Sequence, residues 1–577
     1  MVGHRIALAV LVALGLSPVR TDSMSQNPPP QVSAKPSAVV LGRVTDGPGG
    51  AGVPEAQVRI FPRQGEGPSF TVWTDALGQF VFFSVPDGAY ELGASKPGYF
   101  FGNYGQRAPQ ERGRDFVIAA ARAPSPIAIP VWKAGEITGR VTDENGEPLS
   151  GWPVQVMAKF ARGGRLQWLT QPSSAVTDDR GRYRIGDMYP GDYLLLVKPG
   201  IPALELNGEV RSYAPLIHPA TSTISSGIPF TIAAREEIAG MDFRVRTVVA
   251  HRIAGRLTGS GALTGLTVRL TAWDDAADPE LEFGRVRTTP NGEFVFPAVP
   301  QGVYRLAAWN RDDPANGSMG FALADDYGGS VGSPAEFLRP PHAFVRVVLS
   351  DTDLASISIP LPGMVEISGR YVFRGATPPP SQVVKNVTAF VSTPGGDIVG
   401  TPRTTETGTF RLSVAPGAYL VGPPTPPSGW AVESITVSGR PSLDTPIIVG
   451  DGGVDDVVIT FTDKVTEVTG VVRASDGGSL PADREAKVLI FPTDQARWVD
   501  FGAWPQRIRS ARVTPAGAFT VQGLPAGDYF IIAMYSLEAG EDWELATNFA
   551  KFSRAATRVQ VPSEGKTNTD LRVWSGR

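Results

Sequence analysis

Residues able to do chemistry are sparse in this chain, and their spacing argues against catalysis. There are four histidines, His4, His218, His251 and His342, and none has a glutamate three residues on. A zinc site needs three or four convergent ligands, which histidines this far apart do not supply locally. They are expected to be solvated loop residues. One Gly-x-Ser-x-Gly occurs, Gly328-Gly-Ser330-Val-Gly332. A nucleophile elbow sits between a strand and a helix, with a histidine base at hand. This one lies in a Gly-rich loop, and nothing makes Asp325 and His342 converge on Ser330. The acidic pairs Asp274/Asp275, Asp325/Asp326 and Glu541/Asp542 would serve glycoside hydrolysis only if placed across a cleft. Asp143-Glu-Asn145-Gly146 and Asp451-Gly-Gly-Val-Asp455-Asp456 are oxygen-rich, but neither fits a twelve-residue calcium loop. Turn chemistry explains the first, and an interstrand loop the second. The expectation is no enzyme, with no catalytic residue, no metal site and no cofactor.

Tryptophans carry the sharpest positive signal. Sugar sites use exposed aromatic faces beside polar groups. Trp168 ends Arg162-Gly-Gly-Arg-Leu-Gln-Trp168, which reads as a long loop. Trp498, Trp504 and Trp543 lie in Trp498-Val-Asp-Phe501-Gly-Ala-Trp504 and Glu541-Asp-Trp543. These four are the candidate ligand residues, with polysaccharide as the candidate ligand. The competing reading is that the rings pack over their own domain, since large aromatics are mostly buried.

The elements that must position these residues repeat five times. Each unit opens with an apolar residue, a spacer and glycine: Val40-Leu-Gly42, Ile137-Thr-Gly139, Ile253-Ala-Gly255, Ile367-Ser-Gly369 and Val468-Thr-Gly470. Each continues with glycine, a spacer and an aromatic, at Gly78/Phe80, Gly181/Tyr183, Gly292/Phe294, Gly408/Phe410 and Gly517/Phe519. A Pro-Gly turn then leads into Tyr90, Tyr193, Tyr304, Tyr419 or Tyr529. The second glycines are 103, 111, 116 and 109 residues apart, a spacing that gives each unit its own core.

Within a unit the pattern is of strands. Ile137, Gly139 and Val141 share one face of an alternating strand, and Val154-Gln-Val156 alternates again. An inward glycine packs nothing, so its recurrence predicts close approach of the recurring aromatic or tyrosine. The Gly-x-aromatic element reads as a hairpin with a left-handed glycine, and the tyrosine hydroxyl is placed to tie a corner. The counts of 65 Gly and 52 Pro therefore mark turns. Short joints between units predict a semi-rigid string reaching roughly 150 Å.

The runs Ile137-Thr-Gly-Arg-Val-Thr-Asp-Glu-Asn-Gly-Glu-Pro-Leu149, Thr177-Asp-Asp-Arg-Gly-Arg-Tyr183 and Pro190-Gly-Asp-Tyr193 resemble the carboxypeptidase regulatory-like domain. The resemblance covers about residues 38–577, and is fullest in units one and two. It implies an all-β chain of tandem seven-stranded Greek-key β-sandwiches of transthyretin-like, carbohydrate-binding-like fold. Units three and four depart at the first turn, where Gly259-Ser-Gly261 and Phe373-Arg-Gly375 replace Asp-x-x-Gly. The expected sandwiches are 38–133, 134–249, 250–363, 364–465 and 466–577.

His4 and Arg5 precede an apolar run from Ile6 to Leu16. That run is shorter than the roughly 20 residues of a bilayer span, so 1–20 reads as a signal peptide and 21–37 as a flexible linker. An uncleaved anchor is the competing reading. The expected location is secreted, periplasmic or cell-envelope, with no transmembrane segment in the mature chain. There is no cysteine, which excludes disulfides and thiol chemistry. A net charge of −4 argues against nucleic acid. The expected function is non-catalytic binding, adhesion or spacing. Polysaccharide binding and service to an outer-membrane uptake system are the alternatives, with cell-envelope proteins as further candidate partners. Specificity is expected where the units differ, in the loops between the first glycine and the Gly-x-aromatic element and in those after the tyrosine strand.

Overall fold

Alternation of apolar and polar residues builds the strands. In Gln57–Pro62 the side chains of Val58 and Ile60 are buried while Arg59 and Phe61 face out. The structure, a computed structural model, describes residues 37–576 with gaps. The gaps are 64–67, 110–112, 120, 124–126, 199–203, 207, 260–262, 275–280, 377–378, 380, 388, 424–425, 482–483, 485 and 536–542, and, between 310 and 342, everything but 323–324 and 330–331. The proposed signal and linker thus lie outside the described residues, save Ser37. No described helix is long and apolar enough to cross a membrane.

Unit one shows the pattern. Its strands are Ser37–Asp46, Gln57–Pro62, Phe70–Trp73, Gln79–Pro86, Gly88–Ser95, Phe116–Ile118 and Ile127–Lys133. The fourth, first and seventh form one sheet; the third, second, fifth and sixth form the other. The first and seventh are parallel, and the remaining pairs are antiparallel. The same order recurs behind the opening strands Gly135–Thr142, Thr247–Thr258, Val365–Arg374 and Glu467–Arg473. Each of these pairs antiparallel with its Gly-x-aromatic strand and parallel with a closing strand. The chain is all-β, a tandem array of β-sandwiches.

The opening glycine is explained by what lies over it. Gly42 is the cross-strand partner of Phe80, Gly139 of Tyr183, Gly255 of Phe294, Gly369 of Phe410 and Gly470 of Phe519. A Cβ on Gly255 or Gly369 would stand 2.6 Å from the Cζ of its aromatic partner, inside any van der Waals contact. The ring fills the volume that the glycine vacates, a pairing that also pins the strand register.

The second glycine is left-handed in every unit, with φ of +77° at Gly78, +70° at Gly181, +77° at Gly292, +77° at Gly408 and +88° at Gly517. Such values favour glycine strongly. The expected hairpin, however, is present in unit four, where Arg403–Thr404 pairs with Thr409–Val414. In units one, two, three and five the strand before the turn belongs to the opposite sheet, so the turn is an arch between sheets. In units one to three a buried threonine holds it there. In unit two the Thr177 hydroxyl donates to the Leu149 carbonyl (2.6 Å) and accepts from the Trp152 N–H (2.9 Å), both on the second-sheet side.

The tyrosine corner recurs without exception. The hydroxyls of Tyr90, Tyr193, Tyr304, Tyr419 and Tyr529 donate to the carbonyl four residues back, at 2.9, 2.9, 2.7, 2.7 and 2.6 Å. Burial, with a smaller contribution from Tyr189, pushes Tyr193 up to about 12. An unfolded tyrosine ionises near pH 10, so the fold's preference for the neutral hydroxyl is complete below about pH 10 and lost as pH rises toward the folded value. The urea midpoint should therefore fall between about pH 10 and 12, and Tyr193→Phe should flatten that fall while lowering stability at pH 7 by about 1 kcal/mol.

Successive units do not form an open string. Phe100 of unit one stacks on Tyr189 of unit two with ring centroids 4.0 Å apart. Met157, Trp168, Leu194 and Leu196 of unit two share a core with Ala272 and Leu281 of unit three. Units two, four and five meet directly, which replaces the expected extended rod by a folded-back array. The cause is the inserted loops, whose apolar and charged side chains bind neighbouring units.

Candidate functional site

The junction of units two, four and five is built on two inserted segments. The first is a long hairpin of unit two, Pro153–Arg162 paired with Arg165–Val176. Its two-residue tip, Gly163 and Gly164, has φ of +54° and +81°, both positive as the twist-matched type I′ turn requires. Trp168 is therefore on a strand, where the sequence reading had a loop. The Gly-Gly pair between alternating segments was the signal for this hairpin.

The tip is buried. The Gly163 carbonyl accepts the Asp500 N–H at 2.7 Å, and the Gly164 carbonyl accepts the Ala546 N–H at 3.1 Å. Arg165 grips Asp500 through Nε and Nη2, both at 2.7 Å, the bidentate geometry that arginine favours. That contact raises the Arg165 pKa above the ordinary arginine value. Arg162, nearly buried, reaches Asp397 of unit four at 3.0 Å. Asp500 itself is held at φ +57°, a costly conformation for a residue with a side chain.

The second segment is the unit-five loop between Pro492 and Arg509. Its Gly502 N–H donates to the Pro394 carbonyl (3.0 Å), and Gln506 Nε2 donates to the Pro423 carbonyl (3.2 Å), both in unit four. Arg507 Nε donates to Asp444 at 2.7 Å, and Arg497 binds the same carboxylate. Burial opposes the Arg507 charge, but Tyr529 and Asp444 outweigh it and leave its pKa raised. Between these groups lies a cavity of about 60 Å³, lined among others by Phe390, Leu420, Asp444, Trp504 and Arg507. That is room for a few water-sized groups.

The four candidate tryptophans part company here. Trp168 is 9% exposed and fills the core shared with unit three, not its own sandwich. Trp498 is 3% exposed, donates Nε1–H to the Pro492 carbonyl at 2.8 Å and packs on Phe491 and Phe549. Neither offers a free ring face. Trp543 is half-buried against that second core of unit five. Trp504 is also half-buried, with its ring 4.3 Å from that of Phe390 at the cavity wall.

The other candidates do not gather. Asp143 Oδ1 accepts the N–H groups of Asn145 (2.8 Å) and Glu147 (2.9 Å), a turn and not an ion site. Asp456 pairs with Arg370, and Asp274 accepts the Ser225 N–H. His218 packs edge-on to Phe243, and burial lowers its pKa. Ser330 lies in a two-residue strand paired with Leu323–Ala324. Asp275, Asp325, Asp326, His342, Glu541 and Asp542 lie outside the described residues. Among the described residues no group of three or more His, Cys, Asp or Glu is placed to hold a metal ion.

Repeated β-sandwiches with a tyrosine corner in every unit define the fold class of the protein. Residues 39–104 and 136–204 match the carboxypeptidase regulatory-like domain. No curated protein matches the chain in sequence. Among solved structures it is similar to the Bacillus anthracis TIE protein, at 10% identity over 93% of this chain and 74% of that one, with a TM-score of 0.14. The GBS52 minor pilin of Streptococcus agalactiae is 14% identical over 37% of this chain and 97% of its own, with a TM-score of 0.21. The RrgB pilus protein of Streptococcus pneumoniae is 9% identical over 74% and 93%, with a TM-score of 0.14.

Proposed function

We propose that the chain is an exported, non-catalytic protein of binding, adhesion or spacing, in which inserted loops lock the sandwiches into one bent body. The observation that carries this is the junction itself. The loops that differ between units are used to join units two, four and five, and the recurring Gly, aromatic and Tyr positions are used by packing. Among the described residues, Asp143, Asp274 and Asp456 are engaged in hydrogen bonds to backbone N–H groups and an ion pair. Cell-envelope proteins are the natural partners of such a body.

A second reading, polysaccharide binding, rests on Trp504. It is a partly exposed ring beside Asp444, Gln506 and Arg507, an aromatic surface with directional polar groups around it. One experiment separates the two. The purified chain and Trp504→Ala are applied to a glycan array and to a panel of peptide, ester and glycan hydrolysis assays. The first reading expects no turnover and no Trp504-dependent glycan signal. A glycan signal that falls at least tenfold in Trp504→Ala selects the second, and turnover of any substrate removes both.

A further inference from the structure

The five units serve as controls for one another, and unit one departs from the other four on one outer face. Directly before the opening glycine's apolar–spacer pair stands Val39 in unit one, where units two to five carry Glu136, Arg252, Glu366 and Glu467. Directly before the glycine stands Leu41, against Thr138, Ala254, Ser368 and Thr469. Five residues after the second glycine stands Phe83, against Gly186, Pro297, Ser413 and Gln522. In three of the other units the charged residue makes an ion pair to a neighbouring strand: Glu136 with Arg184, Glu366 with Arg411 and Glu467 with Lys566. In unit one Val39, Leu41 and Phe83 are instead 52%, 63% and 69% exposed.

These side chains form one patch. Val40 and Leu41 are the cross-strand partners of Phe82 and Val81, and Val39 faces the bulge at Phe83–Ser84. The strand Gln79–Pro86 is the sheet's edge, but Ser84 at φ +58° bends it and Pro86 lacks an N–H. Bulge and proline blunt edge-to-edge pairing, so an occupant packs on the face. Elsewhere in the chain an apolar outer face of this fold is covered by another sandwich, as unit three covers Met157, Leu194 and Leu196 of unit two. The ends of the patch also carry opposite charge. Arg43 lies at one end, beside Gln79, and Asp87 follows Pro86 at the other.

We propose that this face of unit one binds the same face of a second copy of the chain. A two-fold axis running in the interface, across the strands, lays the Arg43 end of one copy over the Asp87 end of the other, with Val39, Leu41 and Phe83 between. The contact is isologous, as in most homodimers. Two sheets packed face to face in this way align within about 30°.

The test uses the full chain in sedimentation equilibrium over a range of concentrations. The variant Val39→Glu/Leu41→Thr/Phe83→Ser installs residues already tolerated at these places in other units, and circular dichroism and melting check that it folds. Wild type is expected to show a monomer–dimer equilibrium, and the variant to weaken it more than about tenfold, as removal of central apolar contacts does. Arg43→Glu is expected to weaken the dimer, and Arg43→Glu/Asp87→Arg to restore it. Leu41→Arg alone is the second disrupting variant, should the triple one fail to fold. A wild-type monomer at every concentration overturns the proposal, as does a dimer that survives the folded variants. A monomer that cosediments with lipid vesicles through these residues assigns the face to lipid and equally overturns it.

Discussion

Gly369→Ala is expected to destabilise unit four by about 3 kcal/mol, at the upper end of overpacking costs. The added Cβ would meet the Phe410 Cζ at 2.6 Å, the Val457 Cβ at 2.8 Å and, closer still, the Val457 carbonyl oxygen. The carbonyl belongs to the parallel closing strand, whose ladder pairs Gly369 with Val457, so it does not step aside without breaking that ladder. Shortening the ring in Gly369→Ala/Phe410→Leu should therefore restore little. Gly42 differs. The three atoms its Cβ would stand nearest to all belong to side chains, the Phe80 ring and Ile127 Cγ2. Gly42→Ala/Phe80→Leu should recover at least about 1 kcal/mol relative to the sum of the single changes. Urea unfolding followed by fluorescence, with Trp430 reporting on unit four through its contact with Phe373, separates the cases. Unchanged unfolding of Gly369→Ala would remove this account of the recurring glycine.

Gly164→Val is expected to expel the unit-two hairpin from units four and five. Gly164 has φ +81°, where a β-branched residue is strongly strained, and its Cβ would enter the Trp498 carbonyl oxygen and lie 2.9 Å from Val499 Cα. Both backbone bonds made by the tip, to Asp500 and Ala546, are then lost. The chain has no cysteine, so labels placed at Asp179→Cys and Arg554→Cys, one on each unit, are unambiguous. Spin-label distance measurements should give one distribution in the parent and a second, longer population in Gly164→Val. Arg165→Ala should do much less, because an ion pair this exposed contributes about 1 kcal/mol or less. A single unchanged distribution in Gly164→Val would mean that the hairpin tip does not hold the units together.

These two glycines mark what was legible. The inward glycine opposite an aromatic, the left-handed Gly-x-aromatic glycine and the tyrosine corner could all be read, because each arises from contacts within one unit that repeat five times. The arch is not legible in the same way, because a turn sequence looks the same whether its flanking strands pair or diverge. The strand position of Trp168 escapes a local reading because a Gly163-Gly164 pair fits a long loop as well as a two-residue turn. Nothing local marked Arg162, Asp397 or Asp500 as partners, since Arg162 and Asp397 are 235 positions apart and Arg165 and Asp500 are 335.

The sequence by itself determined the five-fold β-sandwich, since strand alternation, turn glycines and core aromatics act over short range and each unit satisfies them alone. The tertiary structure alone decided that the array folds back, that Trp168 and Trp498 are internal, and that unit one keeps an apolar face open. Those outcomes depend on which surfaces meet across hundreds of residues, and a side chain on an outer face carries no local mark of whether another unit will cover it.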